Sequence, residues 1–451
     1  MKATGNGPTG PGGTEQTAPG PAGFGVTVTT VAVVGMIMAS QAYASIPLMP
    51  QLAAEWDVTT PTAAWATTLF AITYACSSLF SGTLADRFGR RRTVTVSLLV
   101  MAGATLLVPV AGSMAAGCTL RAVQGAMAGF FAPVVYTYLS ERIAPPRLPL
   151  ALTVVSCSLG GTLVIGQISA QYLESTLNWT WVFWTSAPLL ALGAAAIHWV
   201  MVPDVPRAAG SSPVRALASM RTVLANVPVL PLLLTALVVL GGVTAVYTGV
   251  QLYGPAGLGD NADGMLALRA SALPALVLAV LLTPKLSGIP PLRRAAGALA
   301  LAGLGMAGAA FADDSAWGLA TALFVVVLGG SAAGPALVEA VGRATGSARA
   351  TGIALYSFVL NVGAGAGALL PGEISGGFVP LSVTIAVAFA AGVLLVAVAS
   401  GVGSGGAASG SAGSTGAAGS AEPPEAPASA APGGGGPAAR AVPAGGQTAG
   451  G

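Results

Sequence analysis

Two polar clusters stand out in an otherwise apolar chain. The first is Gly82-Thr-Leu84-Ala-Asp86-Arg87-Phe-Gly89-Arg90-Arg91-Arg92, one carboxylate followed by four guanidiniums. A glycine at 82 lets a neighbouring helix come close, and Gly89 permits a tight turn. A carboxylate at the edge of a helix, such as Asp86, pairs favourably with Arg90 or with the N-terminus of a facing helix. That chemistry is a gate, on top of simple anchoring by the arginines. The second cluster is Arg121-Ala-Val-Gln124-Gly125. Helical spacing puts these three named residues on one face. Arg121 lies about five residues inside an apolar run, where a charge is costly and faces a cavity or a partner. It can hold a substrate or tune a neighbouring carboxyl, or it can snorkel to the interface.

Further candidates are more scattered. Arg269 lies inside another apolar run, where it lines a vestibule, pairs with Asp260 or Asp263, or snorkels. Glu339 and Arg343 stand at i, i+4 and read as a local ion pair. Gln41, Tyr74, Tyr136, Gln167, Tyr247, Gln251, Tyr356 and Asn361 are polar groups inside apolar runs. Such groups face the interior of a helix bundle, as a cavity lining or as bridges between helices. His198 is the single histidine, and the three cysteines show no C-x-x-C spacing, so no metal site is expected. No phosphate-binding G-x-x-x-x-G-K-[ST] loop and no Ser/His/Asp set is visible, so the chain reads as no enzyme. Nucleic-acid binding would need a basic face on a soluble domain, and none is present.

The elements that carry these residues follow from composition. Only 7% of residues are charged and 54% are hydrophobic, with a mean hydropathy of +0.78. A soluble domain carries roughly 25% charge, so so few charges point to a surface that faces lipid. Apolar runs long enough to cross the hydrocarbon as helices recur at 25–47, 62–84, 93–113, 116–139, 149–172 and 178–201, then at 228–252, 265–284, 294–312, 316–340, 350–372 and 379–400. The reading is an all-α membrane protein of twelve helices in two six-helix bundles, 24–202 and 228–400, joined by a central loop, 203–227. Residues 1–23 and 401–451 are Gly-, Ala- and Pro-rich and read as disordered tails. No cleavable signal peptide is expected.

The loops set the orientation. Arg87, Arg90, Arg91, Arg92, Arg142, Arg147, Arg207, Arg215, Arg221, Lys285, Arg293, Arg294, Arg343 and Arg349 all fall in alternate loops, and the loops between carry acids only. The positive-inside rule then places the Asp86 loop and both termini in the cytoplasm. At an offset of 202, Leu84, Arg91 and Arg92 map onto Leu286, Arg293 and Arg294, and Pro133 maps onto Pro335. The halves therefore read as repeats, with a substrate site between them.

Gly82, Leu84, Asp86, Arg87, Gly89, Arg90 and Arg91 together resemble the loop between the second and third helices of the major facilitator superfamily. Arg121-x-x-Gln124-Gly125 resembles a fourth-helix motif of its proton-coupled drug exporters. A fifth-helix signature of those exporters is met at Gly166, while Gln167 stands where they carry proline. The resemblance implies a two-bundle transporter that works by alternating access, with Asp86 and Arg90 as a cytoplasmic latch that Glu141 joins. It further implies proton-coupled efflux of small amphipathic or drug-like molecules, with Arg121, Gln124, Gly125, Arg269 and Glu339 as transport or coupling residues. No cofactor is expected, the proton gradient being the drive. The expected partners are a small-molecule substrate and membrane lipid, for a monomer in the plasma membrane. The first run holds no acid, and arginine releases no proton in the relevant range. Glu339, Glu174 and Asp86 are the remaining coupling candidates. A symporter or uniporter for a small metabolite or sugar is the alternative, and a receptor that does not translocate is a third.

Overall fold

A computed structural model describes residues 23–144, 146–203, 220–254, 262–286, 288–312 and 315–412, with side chains described to Gly401. The tails before 23 and after 412, most of the central loop, Asp260, Asp313 and Asp314 lie outside the described residues. The described residues up to Ser404 form one compact unit.

The described elements are helical. The first half holds α1 (Phe24–Ala44), α2 (Met49–Glu55), α3 (Thr60–Ala63), α4 (Trp65–Phe88), α5 (Arg90–Leu107), α6 (Met114–Ala128), α7 (Phe131–Arg142), α8 (Leu148–Thr176) and α9 (Trp179–Val200). The second half holds α10 (Val229–Tyr253), α11 (Ala262–Ala270), α12 (Leu273–Lys285), α13 (Pro291–Ala309), α14 (Ala316–Ala344), α15 (Arg349–Glu373) and α16 (Phe378–Ala412). Eleven spans among the described residues are long and apolar enough to cross a membrane. The sequence leads one to expect twelve. The run at 294–312 is present as α13, but α13 is short, rich in Ala and Gly, and opens on Arg293 and Arg294, and it is not among the eleven. Large apolar side chains such as Leu304, Phe311 and Trp317 point away from the protein, as a lipid-facing surface requires.

Two of the expected runs are broken, and the sequence shows why. Proline cannot donate to the carbonyl four residues back, and its ring collides with that carbonyl. Pro133 faces Gly129 in this way, and the chain turns at Gly129–Phe130 between α6 and α7. Pro274 faces Ala270, and α11 ends there before α12 resumes at Leu273. Pro335, the repeat partner of Pro133, lies inside the unbroken α14.

Packing joins the halves unevenly. Buried apolar residues form two clusters. One, with Val31, Ala85, Val94, Leu139 and Ile197, fills the Asp86 end of the first half. The other runs without a break from the opposite end of the first half (Ile46, Trp56, Phe183) into the second half (Tyr247, Leu268, Phe378). Between the halves, α4 lies against α15 and α8 against α11 and α12. Inside the second half, α10 and α15 meet through glycines. A Cβ on Gly241 would stand 2.7 Å from the Gly363 carbonyl oxygen, and a Cβ on Gly367 would run into the Gly241 carbonyl.

That contact is backbone on backbone, so neither side can yield. Gly241→Ala is expected to destabilise the protein by about 1–3 kcal/mol through overpacking. Gly103, in α5, has nothing within 4 Å of its Cβ position, and Gly103→Ala should be neutral or stabilising by about 1 kcal/mol through helix propensity. Melting temperatures of the two detergent-solubilised variants, moving in opposite directions, check the assignment.

Candidate functional site

The loop at Asp86 is built on a turn that needs glycine. α4 ends at Phe88, and Gly89 takes φ 86° before α5 begins at Arg90. Its positive φ is costly for other residues. The turn brings Arg90 under α7, where its two terminal nitrogens bind Glu141 bidentately, Nη2 to Oε1 at 2.8 Å. Asp86 stands at 3.6 Å from Arg90 Nη2 and is partly exposed. Arg90 is buried, and Glu141 is its principal partner. Arg91 donates to the His198 carbonyl at 3.4 Å. Leu84 and Arg87 are exposed, and Arg87 lies over the Phe88 ring.

Gly82 meets no neighbour in this structure. Among the described residues nothing lies within 4 Å of its Cβ position. The facing helix is close at the other end. Thr68 Oγ1 donates to the Gly365 carbonyl at 2.8 Å, and Gly372 packs on Pro61. Those two pairs, one on α4 and one on α3, share an antiparallel register against α15, since seven residues back along one chain matches seven forward along the other. Continued along α4, that register sets Gly82 opposite Thr351. Among the described residues nothing fills the close-approach surface at Gly82.

Arg121 is fully buried, and its fork meets no carboxylate among the described residues. A guanidinium at a helix centre costs about 2.5–3.5 kcal/mol on insertion scales. Here Nε donates to Ala66 O at 3.2 Å, Nη1 to Gln124 Oε1 at 2.7 Å, and Nη2 to Gln41 O at 2.8 Å and Ser45 Oγ at 3.2 Å. The carbonyls of Gln41 and Ala42 are among the last of α1, which have no partner within their own helix and sit at its negative end. Arg121 therefore caps α1 and ties it to α4 and α6. The Phe70 ring covers the guanidinium at 4.7 Å. Gln124 passes the contact on to Thr105 of α5 at 2.7 Å. Gly125 is where α6 touches α4, for a Cβ there would run into the Phe70 carbonyl.

Arg269 takes neutral partners among the described residues. Asp263 is exposed and Asp260 lies outside the described residues. Arg269 is instead fully buried, and its terminal nitrogens donate to Gln171 Oε1 of α8 and Gln251 Oε1 of α10. Gln171 in turn donates to Glu174 at 3.1 Å, and Gln51 donates to the same carboxylate at 2.8 Å. The chain Gln51–Glu174–Gln171–Arg269–Gln251 thus crosses from one half to the other. Gln171 and Gln51 were missed as site residues. The signal was there in Gln171, one turn from Gln167 in the same apolar run.

Glu339 binds Arg343, as its spacing suggests, and also Arg294 across from α13. Arg294–Glu339 joins α13 to α14 as Arg90–Glu141 joins α5 to α7. The remaining polar candidates are dispersed. Gln41 donates to Ser186 at 2.9 Å, Tyr136 bonds Ser156 at 3.0 Å, and Asn361 donates to the Ser357 carbonyl at 2.9 Å. Tyr74 is half-buried. Gln167 donates to its own helix at Leu163, with Oε1 unmet. The hydroxyls of Tyr247 and Tyr356 are buried with no hydrogen-bond partner among the described residues. No Asp or Glu is among the buried residues described.

Residues 31–368 match the profile of the Major Facilitator Superfamily. The chain is 27% identical over 151 residues to the multidrug export protein EmrB of Haemophilus influenzae, covering 34% of this chain and 29% of that protein. It is 32% identical over 146 residues to a multidrug resistance protein B homolog of Mycobacterium tuberculosis, covering 32% and 27%. It is 28% identical over 140 residues to the tetracenomycin C resistance and export protein of Streptomyces glaucescens, covering 31% and 26%. The matched stretch spans less than a third of the length of each of these relatives.

The Arg121 fork serves three helices at once, and a three-donor ammonium cannot reach all of its acceptors. Arg121→Lys should therefore cost about 2–4 kcal/mol, from hydrogen bonds to a charged donor worth about 1.5–3 each. Arg87→Ala, at an exposed position, should stay within about 0.5 kcal/mol of the parent. Thermal unfolding in detergent reads both.

Proposed function

Because the chain belongs to the Major Facilitator Superfamily, we propose that it is a secondary active transporter. It works by alternating access and exports small amphipathic or drug-like molecules at the expense of the proton gradient, with the Asp86 end in the cytoplasm. The observation that carries this reading is the uneven seam. The halves are joined at the Glu174 end by Thr68–Gly365, Arg269–Gln171 and a shared apolar core. At the other end the Cβ position of Gly82 faces open space among the described residues. A seam closed at one end and open at the other is what rocking of two bundles about a central site produces.

The Asp86 loop is then the latch of the opposite conformation. Closing the α4–α15 register would carry Gly82 against α15 and bring Asp86 to the N-terminus of that helix, where a carboxylate is favoured. The names of the relatives, which include multidrug export and tetracenomycin export, support efflux of small organic molecules. The lack of a buried acid among the described residues supports a second reading, a uniporter or symporter for a small metabolite, in which the cargo itself carries the driving force or the proton.

Two measurements test this. In cells stripped of their own pumps, expression should lower the accumulation of at least one member of a compound panel, and a proton uncoupler should abolish the effect. Export that persists with the uncoupler rules out proton coupling and leaves the second reading. Asp86→Asn should cut transport about tenfold, close to the roughly 1.4 kcal/mol that one good latch contact is worth. Its melting temperature should stay put, because the partly exposed Asp86 contributes little to the conformation described here. Unchanged turnover would leave the loop with an anchoring role only.

A further inference from the structure

We infer that the cargo carries a negative charge, a carboxylate or a comparable oxyanion, and that Arg269 receives it. This rests on the transporter reading above. Three side chains with a formal charge are buried among the described residues, and all three are arginines. Arg90 sits at the edge of the protein on Glu141. Arg121 is used up by the carbonyls that end α1, the Ala66 carbonyl of α4 and the Gln124 side chain. Arg269 is different in kind. Its two partners among the described residues are the side-chain oxygens of neutral amides, and its Nε–H has no acceptor among them.

The partners lie on opposite sides of the seam. Gln251 belongs to the same half as Arg269, and Gln171 belongs to the other. Any conformation that opens the Glu174 end must pull Gln171 away, and Glu174, which stands behind Gln171, leaves with it. Arg269 then keeps Gln251 alone on Nη2, with Nη1 freed on one side of that nitrogen and Nε unmet on the other. Nη2 has one N–H on each of the two edges and Gln251 accepts only one of them, so an edge with two parallel N–H groups stays open, the fork that binds a carboxylate bidentately. The Tyr247 hydroxyl lies one turn along α10 from Gln251 and is unmet, so it supplies a third donor on the same face. An anion in that position replaces a neutral amide with a charged partner, and does so when the half has just lost its nearby acid. A cationic cargo meets the reverse, a buried like charge. The amide of Gln171 is thus a placeholder that seals the seam until an anion competes for Arg269.

The test uses purified full-length protein in lipid nanodiscs and three isosteric aromatic probes, 2-naphthoate, 2-naphthylmethanol and 2-naphthylmethylammonium. Equilibrium binding is measured for each, with flux of the same probes in proteoliposomes. The naphthoate should bind at least about tenfold more tightly than the alcohol, and the ammonium more weakly than either. Arg269→Gln should bring the naphthoate down to the affinity of the alcohol and leave the alcohol unchanged. Because Arg269→Gln removes a buried clasp and can impair assembly, Gln251→Glu provides the second arm. It places a fixed carboxylate on Arg269 in every conformation, keeps the site paired, and should abolish the anion preference with the melting temperature retained or raised. A preference for the ammonium or the alcohol overturns the inference, as does an anion preference that survives both substitutions. If those probes are still transported, the transporter reading stands without it. No binding or flux of any probe counts against both.

Discussion

Hydrocarbon offers no hydrogen bonds, so a charged side chain within it has to find every partner in its own protein. In this chain that constraint falls on Arg121 and Arg269, and the two solutions differ in a way that shapes the molecule. Arg121 is satisfied by carbonyls that α1 must leave unpaired at its end. The bond costs the helix nothing and holds within one half. Arg269 is satisfied by side-chain amides, one of them from the opposite half. The first arrangement builds a rigid corner of α1, α4, α5 and α6. The second makes a joint that can be undone and remade.

The two halves repeat the same design with different emphasis. Each has an arginine at the start of a helix bound to a glutamate near the end of the next helix, Arg90 with Glu141 and Arg294 with Glu339. The acid of the loop is not repeated, since Gly288 stands at the position equivalent to Asp86. Arg343 also takes part in the second pair. The breaks also fall differently, at Pro133 in the fourth run of the first half and at Pro274 in the second run of the other. Duplicated scaffolds with unlike inserts let one end of the seam carry the latch and the other carry the clasp.

Much of this could be read from the residues. Charge content and run lengths give a helical membrane protein because the physics of a lipid-facing surface acts on composition alone. The turn at Gly89 follows from the local rule about positive φ. The breaks at Pro133 and Pro274 agree with the chemistry of proline but are not fixed by it, since Pro335 lies inside an unbroken helix. The partners of Arg121 were not legible, because backbone carbonyls leave no trace in sequence and any helix end could supply them. One of the two amide partners of Arg269 lies 98 residues away in the chain, and nothing in the local sequence points to it. The helix α13 falls outside the eleven spans for a reason the sequence does contain, the two arginines Arg293 and Arg294 in its first turn, which draw down the hydropathy of a run built mostly from Ala and Gly.

The state of the seam was beyond sequence altogether, since the same residues must serve two arrangements. Gly82 shows this most directly. A glycine kept for close approach has a Cβ position with nothing near it, while Gly365 on the facing helix is in contact with Thr68 and Ala71. Both belong to one helix pair, and one register serves both ends of it. Rigid helices that touch at one end and stand open at the other cannot close the open end without lifting the closed one, unless they bend. The Thr68–Gly365 bond is a single neutral hydrogen bond, worth about 0.5–1.5 kcal/mol. The apolar core beneath it has to be parted as well. The clasp at Arg269 is the one polar element there whose strength depends on what else is offered to it, and so it is the element through which a ligand can shift the balance between the two arrangements.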